Sequence, residues 1–171
     1  AVLHTYRDPL DLIWLETARR VGMRVVRSDE VYASWSPGEL LLANSAALDA
    51  DDCLAQMILH EICHALIEGP VGMTKADWGL ENLDERDLAR EHACQRLQAA
   101  LADPWGLRTL LAVTTEHRSY YDALEEHPLR GDEPSVLLAQ EGWKRATEGD
   151  WATPLRQALA ATRALALATE A

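Results

Sequence analysis

The feature that most constrains this chain is the apolar run Leu54-Ala55-Gln56-Met57-Ile58-Leu59-His60-Glu61-Ile62-Cys63-His64-Ala65-Leu66-Ile67, into which two histidines and a glutamate are set. On an α-helix each residue turns about 100°, so His60 and His64 lie roughly 40° apart and one turn apart along the axis. Two imidazoles so placed can grip one metal ion. Glu61 projects roughly 100° from His60, which lets it miss the ion yet reach a water bound there, as a general base must. A polar cluster inside so apolar a segment is costly unless bonded, and metal coordination removes that cost. The pattern His-Glu-x-x-His on a helix is the signature of zinc hydrolases that activate water.

Composition narrows the alternatives. The 171 residues, 48% of them hydrophobic, suit one domain with a proper core. A balance of 16 Lys+Arg against 28 Asp+Glu gives a net charge of -12, which disfavours nucleic acid and anionic membranes as partners because both need clustered cations. Cys53, Cys63 and Cys94 read as reduced core residues of a cytoplasmic protein. No apolar run reaches transmembrane length, and the stretch Ala1 to Asp8 lacks the basic-then-apolar layout of a secretory signal.

Along the chain, Pro9 begins a helix whose apolar positions Leu10, Ile13, Trp14, Ala18 and Val21 recur at helical spacing up to Gly22. Three strand-like segments follow, Met23 to Val26, Val31 to Trp35 and Glu39 to Ala43, predicting a small, mostly antiparallel sheet. The last, Leu40 to Asn44, is expected at the sheet edge beside the metal, where it would hold an extended peptide by main-chain hydrogen bonds or simply close the sheet. The histidine helix is expected to start near Asp49 to Asp52, with carboxylates at its N-terminus, and to end at Gly69-Pro70. Val71 to Asn82 reads as a loop overhanging the cleft, with Trp78 packing.

A second helix, from Asp84-Glu85 to Ala102, supplies the third ligand. Setting His92 at 0°, Ala93, Leu97, Ala100 and Leu101 fall at roughly 100°, 140°, 80° and 180°, while Glu91 lies on the other side. His92 therefore borders the apolar stripe and is the expected ligand, with Glu91 the alternative or an orienting neighbour. Glu116 to Glu125 places His117, Tyr120, Tyr121 and Leu124 on one helical face, where a His or Tyr would stabilise an oxyanion or else simply pack. Ser135 to Glu148 and Pro154 to Thr169 read as two covering helices.

On these residues the chain resembles the ImmA/IrrE-like metallopeptidases, compact zincins, over roughly residues 8 to 104. The initial helix, the strand Gly38-Glu39-Leu40-Leu41-Leu42-Ala43-Asn44, the Leu59-His60-Glu61-Ile62-Cys63-His64-Ala65-Leu66 helix and His92-Ala93-Cys94 on the next helix carry the likeness. That family usually has glutamate as the ligand on the second helix, so His92 is a departure that leaves Glu91 open. Leu59 to Leu66 also looks like the SprT-like proteases, against which the acidic charge and the absence of a four-cysteine module argue. Metzincins would need Gly and His where this chain has Ile67 and Pro70. The resemblance implies an α+β, zincin-like fold: a small sheet packed on a metal-binding helix. Residues 1–104 would form the core, and 105–171 a helical extension packed on it. The expected activity is zinc-dependent hydrolysis of peptide bonds, with Zn²⁺ on His60, His64 and His92 and Glu61 as catalytic base. The substrate would be a protein or peptide, with room for a regulatory protein partner. The alternative is a regulatory or protein-binding module whose metal is structural or vestigial, closed by Glu91 or Cys94.

Overall fold

Six α-helices and a three-stranded mixed sheet make up the main regular structure among the described residues. The structure is a computed structural model describing residues 1, 5–81 and 84–170. Asn82, assigned above to the overhanging loop, lies outside that range, as do Val2, Leu3 and His4 of the amino-terminal stretch. No helix among the described residues is long and apolar enough to cross a membrane.

Helix α1 (Pro9–Arg20) starts on the Asp8 side chain, which accepts from Leu10 N at 2.8 Å, and buries Trp14, Thr17 and Ala18. The strands are β1 (Arg24–Ser28), β2 (Ala33–Ser36) and β3 (Glu39–Ala43), in the order β1-β3-β2. β3 pairs parallel with β1, Val25 opposite Leu40, and antiparallel with β2, Trp35 opposite Leu40. The sheet is thus mixed, not mostly antiparallel. β3 is its centre, not its edge. Its unbroken Leu40-Leu41-Leu42-Ala43 run is what a strand covered on both faces requires. The edge on the cleft side is β2.

Helix α2 (Leu54–Gly72) carries the two histidines. It begins beyond the acidic residues expected to start it: the Gln56 side chain accepts from Cys53 N at 3.1 Å and closes the first turn. Asp51 and Asp52 instead bind Thr115 and Arg118, tying a later loop to the start of α2. Regular geometry breaks at Gly69, whose φ of 69° favours glycine. The carbonyls freed there do not go unpaired. Arg145 donates from Nη1 to Leu66 O at 2.6 Å and Ile67 O at 3.1 Å.

Helix α3 (Glu85–Ala102) is capped by Asp84, which accepts from Asp87 N at 2.9 Å, and packs on α2. Helix α4 (Arg118–Asp122) is one short turn preceded by a 3-10 turn at Thr115–His117, in place of the longer helix expected over 116–125. It is cut short where Arg108 takes the Leu124 and Glu125 carbonyls. Helix α5 (Pro134–Glu148) lies against both α2 and α3, and α6 (Ala152–Thr169) lies against α1, where Trp14 Nε1 donates to Thr162 Oγ1 at 3.0 Å. Leu107, Leu111, Ala139, Leu155 and Leu159 join Trp14, Leu40, Ile58 and Leu97 in one buried cluster. Residues on either side of position 104 therefore share a core.

Candidate metal centre

Because α2 is buried on almost every side, its two imidazoles have nowhere to go but the seam with α3, and they meet there. His60 Nε2 and His64 Nε2 are 3.1 Å apart. Glu91 reaches both from α3: Oε2 is 3.1 Å from His64 Nε2 and Oε1 is 3.4 Å from His60 Nε2. Ligands of a tetrahedral ion with bonds of about 2.0–2.1 Å stand roughly 3.3 Å apart, so these three side chains have the spacing of one ligand face. Cys94 is the other neighbour. The ligand atoms of His60, His64 and Cys94 all lie within 4.8 Å of one another, a group that could hold a metal ion. Yet the Cys94 thiol sits 3.6 Å from His60 Nδ1, donates to His60 O at 3.3 Å, and is driven well above the usual thiol range by burial and by Cys63. It stands behind the His60 ring, while Glu91 stands at the two Nε2 atoms.

The surroundings fit that geometry. His60 Nδ1 meets Gln98 Oε1 at 2.9 Å, so Nδ1 keeps its proton and Nε2 is the nitrogen that would turn to an ion once its own proton is displaced. Gln98 is fully buried and its amide is fixed by donation to Leu111 O at 2.9 Å. Burial alone would lower the His60 pKa, but the Glu91 carboxylate outweighs it and holds the group at about 10 without a metal. Burial works the other way on Glu91. Its two imidazole partners nevertheless hold its carboxyl far below the usual range. A carboxylate and two imidazole Nε2 atoms facing one point suit a cation that displaces the His60 proton. His64 Nδ1 is buried without a hydrogen-bond partner among the described residues, and Glu68, one turn further along α2, is held by Arg90 Nη1 at 2.6 Å.

Glu61 follows His60 and is 7% exposed. Its Oε2 accepts from Trp78 Nε1 at 2.9 Å. Around it opens a cleft of about 660 Å³, bordered by Tyr32, Ala33 and Ser34 of the β2 side, Trp78, Glu81 and His117. His60, Glu61, His64 and Glu91 lie in its wall.

The structure brings His60, Glu61 and His64 together and does not bring His92 to them. His92 stacks on Tyr120 with ring centroids 3.6 Å apart, on another face of α3. The side chains of α3 that meet α2 at the centre are Glu91, Cys94 and Gln98, spaced i, i+3 and i+7. His117 lines the cleft, but Tyr120 and Tyr121 are engaged elsewhere: Tyr120 with Arg96 and Glu133, Tyr121 donating to Arg108 O at 2.8 Å. Sequence reasoning assigned Trp78 mainly to packing, in a loop overhanging the cleft, and passed over Gln98. A buried-face glutamine one turn beyond Cys94 was the available signal for the second. Comparisons with protein-family models, curated proteins and solved structures find no match to this chain.

Proposed function

We propose that the chain is a zinc-dependent peptidase. The observation that carries this is the convergence of His60, His64 and Glu91 at ligand spacing, with Glu61 beside them in an open cleft. His60, His64 and Glu91 would hold the ion. Two neutral nitrogens and one carboxylate would suit Zn²⁺. Bound there, Zn²⁺ supplies Lewis acidity, lowering the pKa of water and polarising a carbonyl. Glu61 then takes the proton of the attacking water and hands it to the departing amine. A protein or peptide, the proposed substrate class, would enter the cleft past Tyr32, Ala33 and Ser34, since beyond them the β2 edge is taken by Asp77 at Trp35 N. The test is paired metal analysis and peptide cleavage on wild type and Glu61→Gln. We expect equal zinc and a loss of turnover of at least about a hundredfold. Full turnover in the variant removes Glu61 from the mechanism.

One observation favours a second reading, a binding module with a closed metal. The ligand atoms of Cys94, His60 and His64 lie within 4.8 Å of one another, a group that could hold an ion. Under that reading Cys94→Ser loses the ion and no cleavage is found, whereas under the first it keeps both.

A further inference from the structure

Beyond the ligands, one side chain touches the general base and is held there at evident cost. Asp77, Trp78 and Gly79 have φ of 43°, 61° and 79° in succession. Left-handed backbone is disfavoured for Asp and strongly so for Trp, and it persists only where surrounding contacts over-determine it. Those contacts are specific. Asp77 Oδ1 accepts from Trp35 N at 2.8 Å and Ser34 Oγ at 3.1 Å, fastening the turn to the β2 edge. The Trp78 ring lies on the buried Trp35 ring, centroids 4.5 Å apart and planes 7° apart. With backbone and ring both fixed, the indole N–H has one direction left, and it meets Glu61 Oε2 at 2.9 Å.

We infer that Trp78 is a positioning residue for Glu61, holding one carboxylate oxygen by its indole N–H so that Oε1 is the oxygen that takes the proton. The role rests on the peptidase activity proposed above. A glutamate on a helix has several open rotamers, and a general base that wanders loses much of its advantage: a displacement of about 1 Å costs on the order of a hundredfold in rate. Packing alone does not require the donor, since a phenyl ring would cover Trp35 as well. Nor does it require a left-handed tryptophan where Gly79 follows immediately.

Trp78→Phe keeps a ring over Trp35 and removes the N–H, and Asp77→Ala leaves the indole but unfastens the turn. In zinc-loaded protein we expect both to lower kcat by about ten- to a hundredfold, with KM within about twofold and one zinc per chain retained. A second readout needs no activity. In the metal-free chain, urea unfolding of Glu61→Leu, Trp78→Phe and the double variant should be non-additive by about tenfold or more in the folding equilibrium, as for a buried hydrogen bond to a charged acceptor. Unchanged kcat, a loss confined to KM, or additive stabilities would overturn the assignment. If wild type binds zinc and cleaves nothing, the peptidase proposal fails, and the unfolding cycle still decides whether Trp78 holds Glu61.

Discussion

Raising the pH from 7 to 9 should tighten zinc binding about a hundredfold, because the ion must displace a proton that the centre itself holds. Without a metal, Glu91 keeps His60 protonated up to about pH 10. At pH 7 the metal therefore competes with a proton bound roughly three pH units too tightly, equivalent to about 4 kcal/mol at 1.36 kcal/mol per unit. That penalty falls tenfold in binding constant with each unit of pH until it vanishes near 10. The sign is opposite for the metal-free fold. A histidine pKa raised above its unfolded value of about 6.5 stabilises the fold fully below that pH, and the contribution is lost as pH rises through about 10. The depressed Glu91 carboxyl stabilises above about pH 4.5 and its contribution is lost as pH falls below that. The metal-free chain should thus be most stable between about pH 4.5 and 6.5, whereas zinc affinity climbs through the alkaline range. Competition with a chromophoric chelator at several pH values, corrected for the chelator's own protonation, measures the slope, and calorimetry in buffers of different ionisation enthalpy counts the proton released. Glu91→Gln should flatten the slope while weakening binding. An affinity that does not change between pH 7.5 and 9 in wild type refutes the reasoning.

The choice of ligands gives a sharper contrast. His92→Ala should leave zinc affinity within about twofold, since its ring rests on Tyr120, whereas Glu91→Ala should lose at least about a hundredfold in the same titration. Gln98→Leu removes the acceptor at His60 Nδ1 and should weaken zinc binding by about ten- to a hundredfold without moving the histidines in a structure of the variant. Arg145→Ala leaves the Leu66 and Ile67 carbonyls without their guanidinium donor and should cost about 1–3 kcal/mol in urea unfolding.

Much of the fold could be read from the residues, because strong local signals and tertiary packing agree there. The helix that begins at Pro9, the helix bearing His60, Glu61 and His64, the helix from Asp84-Glu85 to Ala102, and the two final helices are of this kind. Strand positions were legible to within two residues or so, but pairing direction was not. Alternation in strands this short says which side chains face inward and nothing about which neighbour runs parallel. The choice between Glu91 and His92 turned on the assumption that the apolar stripe of α3 marks the face toward α2. That assumption fails because α3 is buried on several faces at once: Gln95, Arg96 and Gln98 are all within the interior, each with polar partners. Arg96, bonded to Tyr120, Ser135 and two loop carbonyls, occupies the side shared with His92. The turn at Asp77 and Trp78 was illegible for a different reason. Neither residue type announces left-handed backbone, and only the contacts to β2 explain it.

Gly142 lies where α5 packs against both helices that meet at the histidines. A methyl group on its α-carbon would fall 2.8 Å from Ile67 Cδ1 on α2 and 2.9 Å from Leu97 Cδ2 on α3, so the bare backbone of α5 acts as a spacer gauge between the two ligand-bearing rods. One more carbon there would have to be taken up first by the flexible ends of Ile67 and Leu97. The later part of the chain thereby helps shape the seam in which His60, His64 and Glu91 meet.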